Sequence, residues 1–358
     1  MRSVRRFGHG SWAWLGTAAA LVAAALVCGN IGTASAAAGT PLVTYISGTS
    51  AWLANADGSS ARRLGPATTA VLSPDGADVA ALSEKGQTST LTLYPTAGGT
   101  PRVVQSGPPP FIGLLPGAWS PDSSLLLYTV GGSPAQLMVF NTVTGHSTRI
   151  ASGAFDGASF EPGGQNEIVY ALARSSNLNA PSNLYITSSS GTGTRQLTHD
   201  NASEWPVWGA TGIAYTRLTP RKKGQGSTPE WQLWLVKPGG GDAHALTHIS
   251  VPTDESGLTP IAFSADGEHL LAELVGVNHN EAYVLDLSRP QPALRDLTGQ
   301  GNGTIPDAIS LTGQLVLLTT GTSNQASHSV EWVSWKGGKP TVIVKDGAYA
   351  SWDVDSSL

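Results

Sequence analysis

The sequence predicts an all-β fold, a single seven-bladed β-propeller of four-stranded blades, with six blades as the alternative. Three observations support this prediction. A short turn phrase recurs at nearly even intervals, each interval has room for four short strands, and the strands left over at the two ends add up to one further blade. The intervals of 41 to 55 residues between successive copies match the length of one propeller blade.

The recurring phrase is a bulky apolar residue followed by Ser-Pro-Asp-Gly or a degraded form of it. In the copy that runs from Ser73 to Gly76, serine suits the first position of a type I turn, proline fixes φ at the second, and glycine suits the fourth. Each copy therefore predicts a reversal between two strands. The seven copies begin at Ser73, Ser120, Glu161, Gly209, Ser264, Ser310 and Asp353.

Short apolar stretches flank each turn, and they are too short for helices of ordinary length. After the turn at Ser120 the sequence predicts strands from Leu125 to Val130, from Gln136 to Asn141 and from Ser147 to Ala151. Together with the strand that enters the turn, each unit has four strands. A four-stranded sheet cannot bury both of its faces alone, so we expect the units to stack face to face and close into a ring.

The two ends of the chain predict how the ring closes. Three strands lie before the strand that enters the first turn, at 42–46, 51–55 and 62–64, and one strand, at 348–352, stands alone after the last full unit. Three strands and one strand make a complete blade. We therefore expect one propeller domain over residues 41 to 358, closed by pairing of the N-terminal and C-terminal strands.

Residues 1 to 36 are predicted to be a signal peptide. Arg2, Arg5 and Arg6 precede an apolar run, and Ala34-Ser35-Ala36 offers a small-residue cleavage site. A retained membrane anchor is the alternative. Cleavage would leave no membrane span and would place the protein outside the cell, in the periplasm or in the cell envelope. Cys28 is the only cysteine and lies inside this segment, so the mature domain would have no thiol for disulfides or thiolate ligands.

The charge balance argues against nucleic acid as a partner. The formal net charge is −5, and loss of the three signal arginines leaves 17 basic residues against 25 acidic ones. A surface with this excess of acid does not attract nucleic acid. Arg221, Lys222 and Lys223 form a basic cluster in the longest unit. We expect a solvated hairpin loop there, with a docking site for an acidic partner as the alternative.

Several phrases resemble those of a known family. Trp119-Ser-Pro-Asp122 with the apolar run after it, Asn183-Leu-Tyr-Ile-Thr187, and Arg195-Gln-Leu-Thr-His199 resemble the WD40-like (PD40) repeats of TolB-type propellers, also found in prolyl-oligopeptidase-like peptidases. The resemblance spans about residues 41 to 358 and implies a periplasmic or secreted propeller that binds protein partners. TolB proteins place an α/β domain before six blades, whereas this sequence shows seven turns. The peptidases add a hydrolase domain after the propeller, and no such domain is expected here.

Candidate functional residues lie where each fourth strand leads into the next innermost strand, because these segments line one mouth of the central channel. Aromatic rings and carboxylates there would suit a protein partner or small ligand, with the carboxylates orienting a cation or a sugar hydroxyl. Single tryptophans packed between blades and solvated loop carboxylates are the alternative. The ligand-binding candidates are Asp156, Glu204, Trp205, Asp254, Glu255, Asp307 and Tyr349.

Two functions remain open on the sequence. The first is a non-enzymatic binding or scaffolding propeller, which is favoured because every motif found is structural. The second is an exported hydrolase or lyase with an acid and a base at the channel mouth, drawn from Asp254, Glu255 or His248. The histidine spacings predict no metal site, and the glycines near residue 301 precede no helix that could hold a phosphate. No cofactor or catalytic residue is therefore expected.

Overall fold

The structure is a computed structural model, and it describes residues 40–353 apart from 108–111, 176, 178–179, 222–228, 253–254, 277–279, 298–302 and 322–327. The expected signal peptide lies outside the described residues. Within the described part of the chain every regular element is a β-strand, so the predicted all-β class is confirmed.

The strands fall in the order that the turns predict. They are β1 (Leu42–Ser47), β2 (Ser50–Asn55), β3 (Arg62–Pro66), β4 (Thr69–Leu72), β5 (Asp78–Lys85), β6 (Thr88–Pro95), β7 (Arg102–Gly107), β8 (Ile112–Trp119), β9 (Leu125–Val130), β10 (Ala135–Asn141), β11 (Ser147–Phe160), β12 (Glu167–Ala173), β13 (Ser182–Ser188), β14 (Arg195–Gln196), β15 (Ser203–Gly209), β16 (Gly212–Thr219), β17 (Glu230–Val236), β18 (His244–Ala245), β19 (Glu255–Phe263), β20 (His269–Gly276), β21 (Asn280–Asp286), β22 (Ala293–Asp296), β23 (Thr304–Ile309), β24 (Leu315–Thr320), β25 (Ser329–Ser334), β26 (Thr341–Lys345) and β27 (Ala348–Trp352).

Strand pairing joins the described strands into three sheets of four strands, one of seven and one of eight. We divide the two larger sheets at β11 and between β17 and β19, and number the resulting four-stranded units as blades 1 to 7 along the chain. Blades 1 to 6 begin at the inner strands β4, β8, β11, β15, β19 and β23, and each continues outward in sequence order. Blade 7 has the order β27-β1-β2-β3, so its inner strand comes from the C-terminal end. Val43 pairs with Trp352, and the amide of Leu42 donates to Asp353 Oδ1 at 2.6 Å. The predicted closing pair is confirmed.

One strand departs from the expectation. The strand expected from Ser147 to Ala151 runs on without a break to Phe160, because the sequence between them holds no proline or turn phrase. Its first half pairs with β10 as the outer strand of blade 2. Its second half pairs with β12 as the inner strand of blade 3.

The repeated turns form the hydrogen bonds that their sequence predicts. In four turns the amide of the fourth residue donates to the carbonyl of the first, three residues back, at 2.8 to 2.9 Å. The pairs are Gly76 with Ser73, Ser123 with Ser120, Gly267 with Ser264, and Gly313 with Ser310. The serine hydroxyl forms two further hydrogen bonds in the turn of blade 2. Ser120 Oγ donates to Asp122 Oδ1 at 2.6 Å and accepts from the amide of Leu125 at 2.9 Å. Serine and aspartate thus fix the geometry between the inner and second strands.

The core consists of seven separate apolar clusters, and each lies between two adjacent blades. Trp119 packs between blades 1 and 2, Phe160 between 2 and 3, and Trp208 between 3 and 4. Phe263 packs between blades 4 and 5, and Ile309 between 5 and 6. The last two clusters join blade 7 to blades 6 and 1. Because every blade contacts both neighbours, the ring is closed by packing as well as by strand pairing.

Candidate functional site

The described candidate residues all lie on inner strands of the blades. The repeated turns follow the ends of the inner strands, so the beginnings of those strands lie at the opposite face, which we call the linker face. Asp156 lies in β11, Glu204 and Trp205 in β15, Glu255 in β19, Asp307 in β23 and Tyr349 in β27, all in strands around the channel. Asp254 lies outside the described residues.

Irregular backbone shapes the inner strands near this face. The pairing of β11, β15 and β23 with their second strands shifts register at a bulge, which re-aims the side chains beside it. Gly157, Trp205 and Tyr349 have φ values of 97°, 44° and 52°. Left-handed φ is uncommon for bulky residues and tends to persist at functional positions. Trp205 and Tyr349 both lie three residues before the bulky residue of their turn.

Asp156 and Glu204 form a pair of carboxyl groups between blades 3 and 4. Burial raises the pKa of Asp156 to about 6. Burial and then the charge of Asp156 raise the pKa of Glu204 to about 8, against a smaller opposing effect of Ser182. Glu204 is 1% exposed, and neither of its carboxyl oxygens has a hydrogen-bond partner among the described residues. The expectation of a solvated loop carboxylate is wrong for Glu204, because the residue lies in a strand covered by blade 3.

Two tryptophans adjoin this pair. The ring of Trp205 is half-buried, and its centroid lies 4.5 Å from that of Trp231 at an interplanar angle of 54°. The backbone of blade 3 approaches from the other side. A Cβ built on Gly157 would lie 3.0 Å from Trp205 Cα, so a larger residue beside Asp156 would push the two inner strands apart. The sequence therefore brings Asp156, Glu204 and Trp205 into one small area.

A second acidic group joins blades 5, 6 and 7. Asn280 Nδ2 donates to Glu273 Oε1 at 2.8 Å, and Thr319 Oγ1 donates to Asp307 Oδ2 at 2.6 Å. The amide of Tyr349 donates to Thr319 Oγ1 at 2.8 Å. Burial raises the pKa values of both Glu273 and Asp307 to about 8, and the charge of Asp307 adds to the effect on Glu273. Burial and these two carboxyl groups also raise the pKa of Tyr349.

Sequence reasoning missed Glu273. It lies on β20, a second strand, where it is fully buried and faces Thr259 across the strand pair. The available signal was a lone glutamate inside the apolar stretch from Leu270 to Val275. A charged residue at such a position is seldom fully buried unless it has a partner or a function.

Arg221 corrects another expectation. Its side chain is 2% exposed, whereas a solvated loop was expected. It forms an ion pair with Glu230 at 3.2 Å and donates to the carbonyls of Val251 at 2.6 Å and Glu255 at 2.7 Å. Arg221 thus fastens the chain that enters blade 5 and positions Glu255 at the linker face. Lys222 and Lys223 lie outside the described residues.

Two further findings concern the described residues only. They contain no group of three or more His, Cys, Asp or Glu side chains arranged to hold a metal ion. They also contain no helix with the length and apolar character needed to cross a membrane.

Comparison with known proteins defines the fold. No protein-family model matches the sequence, and a comparison with curated proteins finds no match. Among solved structures, TolB from Acinetobacter baumannii is similar with a TM-score of 0.54 and 17% identity over 88% of this chain and 67% of that chain. The chain has a TolB-like β-propeller fold.

Other solved structures share this TolB-like propeller fold and differ in what they do. The β-propeller domain of the Trilobed protease from Pyrococcus furiosus gives a TM-score of 0.61 at 13% identity, over 86% of this chain and 92% of that one. An oligogalacturonate lyase in complex with manganese gives 0.55 at 14%, over 83% and 82%. At these identities the likeness establishes the fold alone, and function has to be argued from the site.

Proposed function

We propose that this protein is an exported, non-enzymatic propeller that binds a protein or small ligand at the linker face, as a binding or scaffolding module of the cell envelope or exterior. The proposed ligand-binding residues are those expected from the sequence: Asp156, Glu204, Trp205, Asp254, Glu255, Asp307 and Tyr349. The signal-like N-terminus and the TolB-like fold support the proposed location.

The observation that carries the proposal is Glu204. A buried carboxyl group without a hydrogen-bond partner destabilises the fold, and natural structures keep such groups mainly where they serve a function. Glu204 directly precedes Trp205, whose ring is half-buried, on the inner strand of blade 4. An apolar ring beside a few convergent polar groups is the usual composition of a ligand site.

An exported hydrolase or lyase is the second candidate, and the displaced pKa values favour it. Two neighbouring carboxyl groups with pKa values of about 6 and about 8 have the values of a base and an acid at neutral pH. The sequence offered Asp254, Glu255 or His248 for such chemistry, and His248 can be compared with this pair. That residue is exposed in the chain between β18 and β19, and histidine is absent from the groups that act on the pKa of Glu204.

A thermal-shift screen tests the proposed function. The protein is heated with divalent metals, oligosaccharides and peptides, and the screen is repeated with Trp205→Ala. A rise in the unfolding midpoint that disappears in Trp205→Ala supports binding at the linker face. The matched control is Trp335→Ala, because Trp335 contacts His269 next to a repeated turn on the opposite face. A response that Trp335→Ala removes and Trp205→Ala retains would contradict the proposal, as would turnover of the bound compound.

A further inference from the structure

Building on the proposed function, we infer that Asp156, Glu204 and Trp205 form a binding site for an organic cation, a ligand that carries an ammonium or guanidinium group. The chemistry is shared by a free polyamine and by a lysine or arginine side chain of a partner protein. Three features of the structure lead to this class of ligand: uncompensated acid, free acceptor atoms and an aromatic surface.

The carboxyl pair has no counter-ion among the described residues. Within that part of the chain, the one charged residue that acts on the pKa of Glu204 is Asp156, and it has the same sign. Arg217 lies opposite Ser203 on β16 but forms an ion pair with Asp200 at 3.0 Å and covers the Trp234 ring at 4.1 Å. Arg174 donates to Asn201 Oδ1. These two arginines are thus engaged elsewhere, and we infer that a ligand supplies the cation that compensates the two carboxylates.

The free acceptors favour a ligand with several N–H donors. Neither carboxyl oxygen of Glu204 has a partner within hydrogen-bond distance in the part of the chain that the structure describes, although the residue is 1% exposed. Ser182, on the neighbouring β13, gives its hydroxyl to the carbonyl of Ser203 at 2.7 Å. An ammonium group has three donors and a guanidinium group has five, so either one satisfies two carboxyl groups at once.

The aromatic surface separates an organic cation from other ligands. A cation close to the face of an indole ring is attracted by the ring quadrupole, and its alkyl chain gains apolar contact with the same ring. The ring of Trp205 is held against Trp231 and remains half-buried. A hard metal ion prefers six to eight oxygen ligands and gains nothing from an indole, whereas a neutral sugar leaves the two carboxylates uncompensated.

Isothermal titration calorimetry on the whole protein tests this inference. The probes are spermidine, a short lysine-rich peptide and the same peptide with every lysine acetylated. We expect the two cationic probes to bind and the acetylated peptide to bind at least tenfold more weakly. Glu204→Gln is expected to weaken binding at least tenfold, because the amide cannot ionise when the cation binds. Trp205→Leu is expected to weaken it several-fold.

The matched control is Asp122→Asn. It likewise replaces one carboxyl group by an amide, but Asp122 belongs to a repeated turn on the opposite face. We expect it to leave binding unchanged, which separates a local site from general attraction to an acidic protein. Circular dichroism and the unfolding midpoint show whether each variant is folded.

The pH dependence gives a second readout that a passive surface would not produce. Binding of a cation favours ionised Glu204, so each ligand releases up to one proton near neutral pH. The affinity should therefore rise about tenfold between pH 6.5 and pH 7.5, and the measured heat should depend on the ionisation heat of the buffer. Both effects should disappear in Glu204→Gln.

The possible failures are distinct. Equal binding of the acetylated peptide, or unchanged affinity in Glu204→Gln, overturns the organic cation as the ligand. If neutral oligosaccharides bind in a way that needs Trp205, the proposed linker-face site stands and this inference falls. If no probe of any class responds in the thermal-shift screen or in calorimetry, both fall. Binding of spermidine without the lysine-rich peptide identifies a free small molecule as the ligand, and the reverse identifies a protein segment.

Discussion

The carboxyl groups of the repeated turns and the buried carboxyl groups of Glu204, Glu273 and Asp307 are the same chemical group. The first accept several hydrogen bonds, whereas the second are buried with few or none. In the turn of blade 2, Asp122 accepts hydrogen bonds from Ser120 Oγ, Ser124 Oγ and the amide of Ser124. Partial burial opposes ionisation there, but these hydrogen bonds outweigh it and lower the pKa of Asp122. Near the channel, burial raises the pKa values of Glu204, Glu273 and Asp307 to about 8.

The turn carboxylates recur from blade to blade, whereas the buried acids do not. The serine, aspartate and main-chain contacts of blade 2 recur at Ser73 and Asp75 in blade 1 and at Ser264 and Asp266 in blade 5. A contact that recurs in several blades stabilises the blade itself. Glu204 and Glu273 occur once each and carry oxygens without partners, so no blade needs them. In a repeat protein, the acids that break the repeat are therefore the better candidates for function.

The largest expected effect is a fall in stability as the pH rises. The folded protein holds protons on Glu204, Glu273 and Asp307 up to about pH 8, whereas unfolded chains lose them near pH 4. Stability from these protons is therefore complete below about pH 4 and is lost as the pH rises toward 8. Each group that loses a proton on unfolding lowers the free energy of unfolding by about 1.4 kcal/mol per pH unit.

Thermal unfolding between pH 5 and pH 8.5 measures this loss. We expect the midpoint to drop by roughly 10 °C, which corresponds to several kcal/mol for a domain of this size. The double variant Glu273→Gln with Asp307→Asn should flatten the curve. Glu268→Gln, at an exposed position next to β20, should leave it unchanged. A midpoint that rises over this pH range would contradict the proposed protonation of the inner carboxyl groups.

A smaller effect, of the same origin, is expected from Glu204→Gln alone. The amide keeps the shape of the side chain and removes the charge that burial disfavours. At pH 8.5 we expect the variant to be more stable than the natural protein by on the order of 2–3 kcal/mol. At pH 5.5 Glu204 keeps its proton in the folded protein but has lost it in the unfolded chain, so only about one pH unit of the loss has accrued and the difference should be much smaller than at pH 8.5. Urea unfolding at the two pH values provides the measurement, and equal destabilisation at both would mean that Glu204 has a purely structural role.

The sequence predicted the parts of the molecule that repeat. The Ser-Pro-Asp-Gly phrases located the turns, and the unpaired strands at 42–46 and 348–352 predicted the closing blade. Local preferences are enough for such features, because each turn is formed by residues within a short stretch. The fused strand β11 was not predicted, since two blades share one strand there only after they have stacked.

Burial at the candidate site could not be predicted in the same way. Glu204 and Glu273 are covered by residues far away in the sequence, on neighbouring blades, so their exposure depends on how the ring packs. The buried contacts of Arg221 likewise involve Val251 and Glu255, about 30 residues further along the chain. The sequence locates the acidic and aromatic residues on the inner strands. Which of them are buried without partners depends on how the blades pack against each other.

The smallest expected effect comes from the turns, and its sign separates the two regions. Asp122→Ala leaves Ser120 Oγ and the amide of Ser124 without their acceptor, so we expect it to lower the free energy of unfolding by about 1–2 kcal/mol at pH 7. Asp75→Ala removes the matching contacts with Ser73 and Ala77 in blade 1 and should cost a similar amount. Urea unfolding of both variants beside Glu204→Gln provides the test. Two results would contradict this prediction: a turn variant that is more stable than the natural protein, or a difference of several kcal/mol between the two turn variants. Either result would mean that the repeated turn carboxylates do not stabilise the blades in a common way.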